Sequence, residues 1–491
     1  MPRAQTRLAI AIGCALGLQA STTWAAEWET SAGVAPRIVA TDNVCLTNDD
    51  EESDVYAVVR PSASVKGTGR RANVSLTASV DLNTLSDGDL RDNGCSAEVL
   101  DRDEYLPQMR ASADAVLIDQ WFFIDANASS SQNEVSPFLS GGGDAADRRG
   151  NVNTTYRYAV SPYLKRRFKD VGELLVRYTW DDQYNTKDIV GESTEQRAVA
   201  NFSSGSTFYP FTWGLQGYYS DIEYEDTPGR STADSSELKS AQFNLAYQLN
   251  RSWAVNGYYG DEWNDFVSSR DDIDGDYWGA GLIWTPNSRT RVEAGTGDRF
   301  FGTTPWLRVK HRYRRSQLSL NYEQTLTYNR NIRTLGIEDD FFGQPTTLTN
   351  SPILDERVSL NYAYNGRRFD LGVVGSFSDQ TREGGGDFTT DPAVIVDESR
   401  FKSAIVSLSR PVTRNFNVRT RVGWREQEPK NNELSNRISS ETWSFSLGAS
   451  RKFGDNLSAS LDYLYTDRSS DLSIDEYQEN RITLTVRATF L

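Results

Sequence analysis

Stretch after stretch of this chain alternates apolar and polar residues one by one. The alternating sets include Val74, Leu76, Ala78, Val80 and Leu82; Leu174, Val176, Tyr178 and Trp180; Phe243, Leu245, Tyr247 and Leu249; and Trp443, Phe445, Leu447 and Ala449. Successive side chains of a strand point to opposite faces, so each stretch reads as a strand with one apolar and one polar side. The final strand shows the pattern best, with Ile482, Leu484, Val486, Ala488 and Phe490 on one face and Arg481, Thr483, Thr485, Arg487 and Thr489 on the other. Lipid outside and water inside accept both faces, whereas a soluble sandwich must bury one of them or turn it to water. A surface-edge strand of a soluble β protein is the competing reading of this segment alone. No stretch carries a convincing helical period.

The connections alternate too. Tight links at 67–70, 250–251, 286–289, 365–367 and 454–456 are separated by long polar ones at 41–54, 86–104, 132–150, 225–236, 267–276, 329–351, 382–397, 428–436 and 469–476. Short turns at one end and long loops at the other predict an all-β fold, a transmembrane antiparallel up-and-down β-barrel with its long loops facing the exterior. Threading strands from Trp28 to Phe490 gives about 22, within roughly 18 to 22 because boundaries drift and residues 100–125 leave theirs open. An even number puts both termini on the periplasmic side, and closure pairs the last strand with the segment near Trp28. Bacterial outer-membrane assembly reads an aromatic near the C-terminus. Phe490 keeps step with the lipid-facing row and is the expected assembly signal, with Leu491 a tolerated overhang.

Arg3 and Arg7 precede the apolar run from Leu8 to Leu18, and Thr23, Trp24 and Ala25 offer a cleavage site. Residues 1–25 therefore read as a secretory signal peptide and 26–491 as one barrel domain. No other uncharged run is long enough to cross a bilayer as a helix. Cys14 sits in the apolar run without the Leu of a lipoprotein site. Cleavage removes two arginines and no acids, moving the net charge from -16 to -18. A chain this acidic is a poor nucleic-acid binder. Cys45 and Cys95 remain after cleavage, and in an oxidising periplasm a disulfide between neighbouring outer loops is the expectation; two separate thiols are the alternative.

On the polar faces, Arg289, Arg291, Arg308, Lys310, Arg312, Arg419, Arg421 and Arg425 form a candidate lumen-lining stripe, interleaved with Glu293, Glu323, Asp370 and Asp462. A barrel of this size is too wide for side chains to fill, so polar walls imply water, a folded-in loop or a second protein. The stripe is either a path for an anionic or heavily hydroxylated solute or a wall of compensating charges with no chosen ligand. Acidic residues gather in the predicted loops, at 49–54 and 271–276. The series Asp272, Asp274 and Asp276 falls short of an EF-hand, so solvated loop tips are the simpler reading and no metal site is assigned. His311 is the only histidine, and its parity with Leu307, Val309 and Tyr313 puts it on the lipid side. It has no nucleophile or carboxylate partner there, so no catalytic residue and no cofactor are assigned.

A scattered series runs through the N-terminal third: Trp28, Pro36, Thr41, Asp42, Asn43, Val44, Arg60 and Pro61, then Leu117, Ile118 and Asp119, Phe122 to Ala126, Ser131 and Gln132, and Ser161, Pro162 and Tyr163. With the ending Ala488, Thr489 and Phe490, this resembles the PEP-CTERM system-associated outer-membrane β-barrel family. The family usually stops at the aromatic, and here Leu491 follows it. The resemblance implies a Gram-negative outer-membrane protein, linked to exosortase sorting and exopolysaccharide production, that serves as a conduit for polysaccharide. Expected partners are outer-membrane lipid and lipopolysaccharide, the barrel-assembly machinery, polysaccharide and periplasmic export proteins. A general or sugar-uptake porin and a non-conducting scaffold are the alternatives.

Overall fold

The computed structural model describes residues 27–49, 51–84, 105–134, 152–186, 192–225, 235–268, 270–328, 352–383, 398–430, 439–471 and 473–490. Nearly all of them lie in strands. These are β1 Glu27–Thr41, β2 Asp54–Thr68, β3 Ala72–Asn83, β4 Tyr105–Ile118, β5 Phe122–Glu134, β6 Val152–Phe168, β7 Gly172–Asn185 and β8 Ser193–Ser204. They continue with β9 Phe211–Tyr224, β10 Ser235–Gln248, β11 Trp253–Asp265, β12 Gly275–Asn287, β13 Thr290–Arg299, β14 Gly302–Thr303, β15 Trp306–Tyr313 and β16 Ser316–Thr327. The last are β17 Ile353–Asn365, β18 Asp370–Arg382, β19 Glu398–Pro411, β20 Phe416–Lys430, β21 Ser440–Lys452, β22 Leu457–Ser470 and β23 Tyr477–Phe490.

Each strand pairs antiparallel with the next, and β1 pairs with β23, so the sheet closes on itself. The two-residue β14 continues the ladder between β13 and β15, which leaves a wall of 22 strands. Closure leaves no sheet edge, so the backbone N–H and C=O groups of the wall are paired within it. This is the predicted architecture and strand number.

All five predicted tight links fall at one end of the barrel, and the nine long connections at the other. The loop end also holds two connections that are only moderately long, at 186–192 and 300–305. Hairpin turns need left-handed backbone to match the twist of the strands they join. Gln120, Lys169 and Arg314 supply it at φ of 65°, 47° and 46°, and Gly454 supplies it at φ +95°.

Outward faces carry the predicted apolar rows. Ile482, Leu484, Val486 and Phe490 are exposed on the outside, as are Val176, Leu245, Leu282, Val406 and Leu461. Such a belt suits lipid, and the tryptophans toward its two ends mark the interfaces. Trp253 and Trp284 stack 5.8 Å apart toward the turn end. Toward the loop end the indoles of Trp424 and Trp443 donate to Glu441 at 2.7 and 2.9 Å. His311 is exposed on this outer side, its Nδ1 2.9 Å from Thr290 Oγ1.

Candidate functional site

The inward face changes character along the axis. On β20 the inward side chains are Arg419, 60% exposed near the turn end, then Arg421, half-buried, then Arg425 at 6% and Gln427 at 1% near the loop end. β23 repeats the gradient, from exposed Arg487 through half-buried Thr485 and Thr483 to buried Arg481, Glu479 and Tyr477. The lumen is therefore a wet vestibule at the turn end and a packed, constricted half at the loop end.

The vestibule holds most of the predicted basic stripe, together with compensating acids. Arg291 and Arg308 both reach Glu293, at 3.4 and 3.6 Å, and Arg308 also reaches Glu323 at 3.2 Å. Lys310 and Arg312 continue the same inward row. Arg419 approaches Asp462 at 3.9 Å across the intervening strand, where a Cβ at Gly448 would stand 2.2 Å from the Asp462 carboxylate. Exposed pairs of this kind stabilise by only about 0–1 kcal/mol each, so the wall can exchange its internal contacts for those of a polar solute. Arg289 lies in the turn between β12 and β13, where its backbone N–H donates to Asn287 at 2.9 Å, and so stands at the vestibule's entrance. Arg425 is inward as predicted but belongs to the packed half.

In that packed half, buried carboxylates meet arginines that the sequence reading did not assign to the lumen. Asp81 is shared by Arg37, at 3.2 Å, and Arg60; Asp181 pairs with Arg157 at 2.7 Å; Glu262 with Arg299 at 2.5 Å; and Asp355 with Arg357 at 2.8 Å. Burying a carboxylate is costly unless a partner neutralises it, and each of these has one. Their inward parity was legible from strand alternation, but their depth was not.

Among the described residues, two contacts cross the lumen at the loop end. Arg270, on the connection after β11, donates to Glu383, on the connection after β18. Tyr328, one residue past β16, is 3% exposed and packs near Tyr224, Ser236, Tyr218 and Glu195 of β8 to β10. Burial, reinforced by Tyr224, pushes its hydroxyl well above the ordinary pKa of 10.0. The rim thus folds inward until distant wall segments meet.

Several residues behind the family resemblance converge in space. Thr41 donates to Glu479 at 2.9 Å, Asp42 accepts from the backbone and side chain of Asn480, both at 2.7 Å, and buried Asn43 donates to the carbonyls of Thr47 and Gln478 at 2.7 and 2.8 Å. This group latches the first loop onto the last strand at the closing seam. Phe123 stacks on Tyr163 at 5.0 Å, and Arg177 lies over Tyr163 at 4.0 Å while donating to Asp125 at 2.8 Å. Cys45 is buried and disulfide-bonded; Cys95, like the candidate signal peptide and Leu491, lies outside the described residues. Asp274 accepts from the Asn264 backbone at 2.5 Å, and among the described residues no side-chain group has the make-up of a metal site.

No family model matches the sequence, and no curated protein does. Among solved structures, the chain is similar to the siderophore receptor PirA from Acinetobacter baumannii, at 11% identity and a TM-score of 0.54, covering 94% of this chain and 80% of that one. The FrpB iron transporter from Neisseria meningitidis, F3-3 variant, gives 11%, 0.54, 94% and 81%. The ferric-catecholate import receptor Fiu from E. coli K12 gives 11%, 0.50, 94% and 82%. The fold is that of an outer-membrane β-barrel. At this identity the likeness extends to the architecture and not to the cargo.

Proposed function

We propose that this barrel is a non-enzymatic, porin-like conduit that passes a hydrated, hydroxylated polymer outward, as the outer-membrane component of exopolysaccharide export in a PEP-CTERM and exosortase-linked system. The observation that carries the reading is the burial gradient of the lumen. Exposed Arg291, Arg308 and Arg419 with their carboxylate partners make a polar funnel open toward the periplasm, while Arg270, Glu383 and Tyr328 hold the loop end narrow. Sugar hydroxyls both donate and accept hydrogen bonds, so a wall of weak exposed ion pairs offers them many exchangeable contacts. The family resemblance supports the cargo class. Periplasmic export proteins would dock at the turn end, and lipopolysaccharide would surround the outer face beside Trp424 and Trp443.

The test is deletion of the gene in its own host, with the wild-type chain returned on a plasmid. Export predicts polymer retained in the periplasm and restored to the surface on complementation. Unchanged surface polymer with lost uptake of a small sugar would replace export with a sugar porin. Normal polymer and normal uptake, together with electrical silence in planar bilayers even after the Arg270 to Glu383 contact is broken, would leave a scaffold.

A further inference from the structure

Two neighbouring inward strands are bare over a patch two residues by two. In one row across the wall Tyr258 of β11 pairs with Gly279 of β12, Gly279 with Gly297 of β13, and Gly297 with Thr304. In the next row Asn256 pairs with Gly281, Gly281 with Gly295, and Gly295 with Trp306 of β15. Four glycines thus form the floor of a shallow trough, with Tyr258 and Asn256 on one bank and Trp306 and Thr304 on the other.

The two rings lean onto that floor. A Cβ at Gly295 would stand 2.2 Å from the Trp306 indole, and one at Gly279 would stand 2.4 Å from the Tyr258 ring. Their centroids are 5.9 Å apart at a tilt of 33°, and both side chains remain half-buried, partly open to the lumen. Three of the four bank residues also hold a buried polar atom with no hydrogen-bond partner: Trp306 Nε1, Asn256 Oδ1 and Thr304 Oγ1. Thr304 is itself 6% exposed. Buried polar groups in folded proteins are normally satisfied, so one donor, one acceptor and one hydroxyl left over in one place await a partner that offers both kinds of bond.

We propose that this trough is a carbohydrate-binding subsite on the lumen wall, taking one pyranose unit of a passing chain. A pyranose presents a face of weakly positive C–H bonds to the negative face of an aromatic ring, and a rim of hydroxyls that both donate and accept. Trp306 and Tyr258 supply the ring faces. Trp306 Nε1, Asn256 Oδ1 and Thr304 Oγ1 lie covered beside the glycine floor and supply the matching polar contacts once the two half-buried rings swing off that floor toward the sugar. The subsite deepens the conduit reading and rests on it for the presence of sugar chains in the lumen.

The full chain, purified in detergent, would be titrated by calorimetry with hexasaccharides of α-linked glucose, β-linked glucose and N-acetylglucosamine. Binding of at least one, weakened roughly tenfold by Trp306→Leu and by a smaller factor in Trp306→Phe and in the nearly isosteric Thr304→Val, is the expected result. Thr304→Val keeps both rings and guards against a folding artefact in the leucine variant. No binding of any hexasaccharide to the wild type, or binding unaltered in all three variants, overturns the subsite and leaves the orphan atoms to ordered water. Trp306-dependent binding in a protein whose deletion spares export would keep the subsite and discard the export reading. Export lost on deletion but fully restored by Trp306→Leu, with unaltered hexasaccharide binding, would do the reverse.

Discussion

Arg270 grips Glu383 with two hydrogen bonds of 2.9 Å, joining loops that leave the wall six strands apart in a 22-strand ring. The Glu383 carboxylate is buried, and its bond to the guanidinium holds the Arg270 pKa above the ordinary arginine value. Removing Arg270 strands that carboxylate, at about 1–3 kcal/mol after allowing for the partial exposure of Arg270. Arg270→Met should therefore raise the open fraction and mean conductance in planar bilayers, and the swapped pair Arg270→Glu with Glu383→Arg should lower them again. Equal conductance in wild type and Arg270→Met would show that the clamp does not limit passage.

The Tyr328 contact carries its own pH dependence. Its hydroxyl titrates higher in the folded rim than in an unfolded chain, so the stability it lends is complete below pH 10.0 and declines as the pH rises toward the folded value. Near neutrality the contact is silent to pH. Conductance should climb on alkaline titration above about pH 10, and Tyr328→Phe, which has no proton to lose, should remove that limb of the curve. An alkaline limb of the same size in the phenylalanine variant would assign it to other groups.

Much of this was legible in the sequence, and the reason is the period of two. Alternation alone sorted Val176, Leu245 and Ile482 outward and Arg308 and Arg419 inward, and the rhythm of short and long connections gave 22 strands and the polarity of the barrel. Connections 186–192 and 300–305 escaped because they are barely longer than turns, although both lie at the loop end. Depth also escaped. Parity places Arg419 and Arg425 on one face but cannot tell that one is solvated and the other packed, because that depends on which side chains arrive from across the lumen. The glycine trough had a faint signature in Gly279 and Gly281 beside Gly295 and Gly297, readable only once the register of β12 against β13 was known.

That difference in depth separates two otherwise similar substitutions. Arg419→Glu, in the vestibule beside Asp462, should shift ion selectivity toward cations with under about 1 kcal/mol lost in stability, since exposed pairs contribute little. Arg425→Glu on the same strand should instead destabilise by about 3 kcal/mol or more, because a carboxylate would replace a buried guanidinium. Reversal potentials across a salt gradient and urea unfolding in detergent would read the two effects. Equal unfolding midpoints for the two variants would contradict the packed half.

Cys45 is buried in the first outer loop and disulfide-bonded. Mass spectrometry of the unreduced protein should show one peptide pair joining Cys45 to Cys95, and Cys45→Ser should lower the midpoint of thermal unfolding by an amount corresponding to about 2–4 kcal/mol. A linkage of Cys45 to another chain, or two thiols that alkylate without reductant, would replace the intramolecular staple.

The closing seam makes the last prediction. Phe490 pairs with Ala32 at the turn end of the seam and projects outward with Ile482, Leu484 and Val486, so its ring adds to the lipid belt where the final strand must find the first. At the far end the latch of Asn43 on Gln478 already fixes the register. Because the two ends of the seam are held by different residues, they should fail differently. Phe490→Ser should reduce the amount of folded barrel recovered from outer membranes, whereas Asn43→Ala should leave that amount nearly intact but lower thermal stability by about 1–3 kcal/mol for its lost buried bonds. Deleting Leu491 should change neither quantity. Normal assembly of Phe490→Ser alongside defective assembly of the Leu491 deletion would move the recognition signal to the terminal residue.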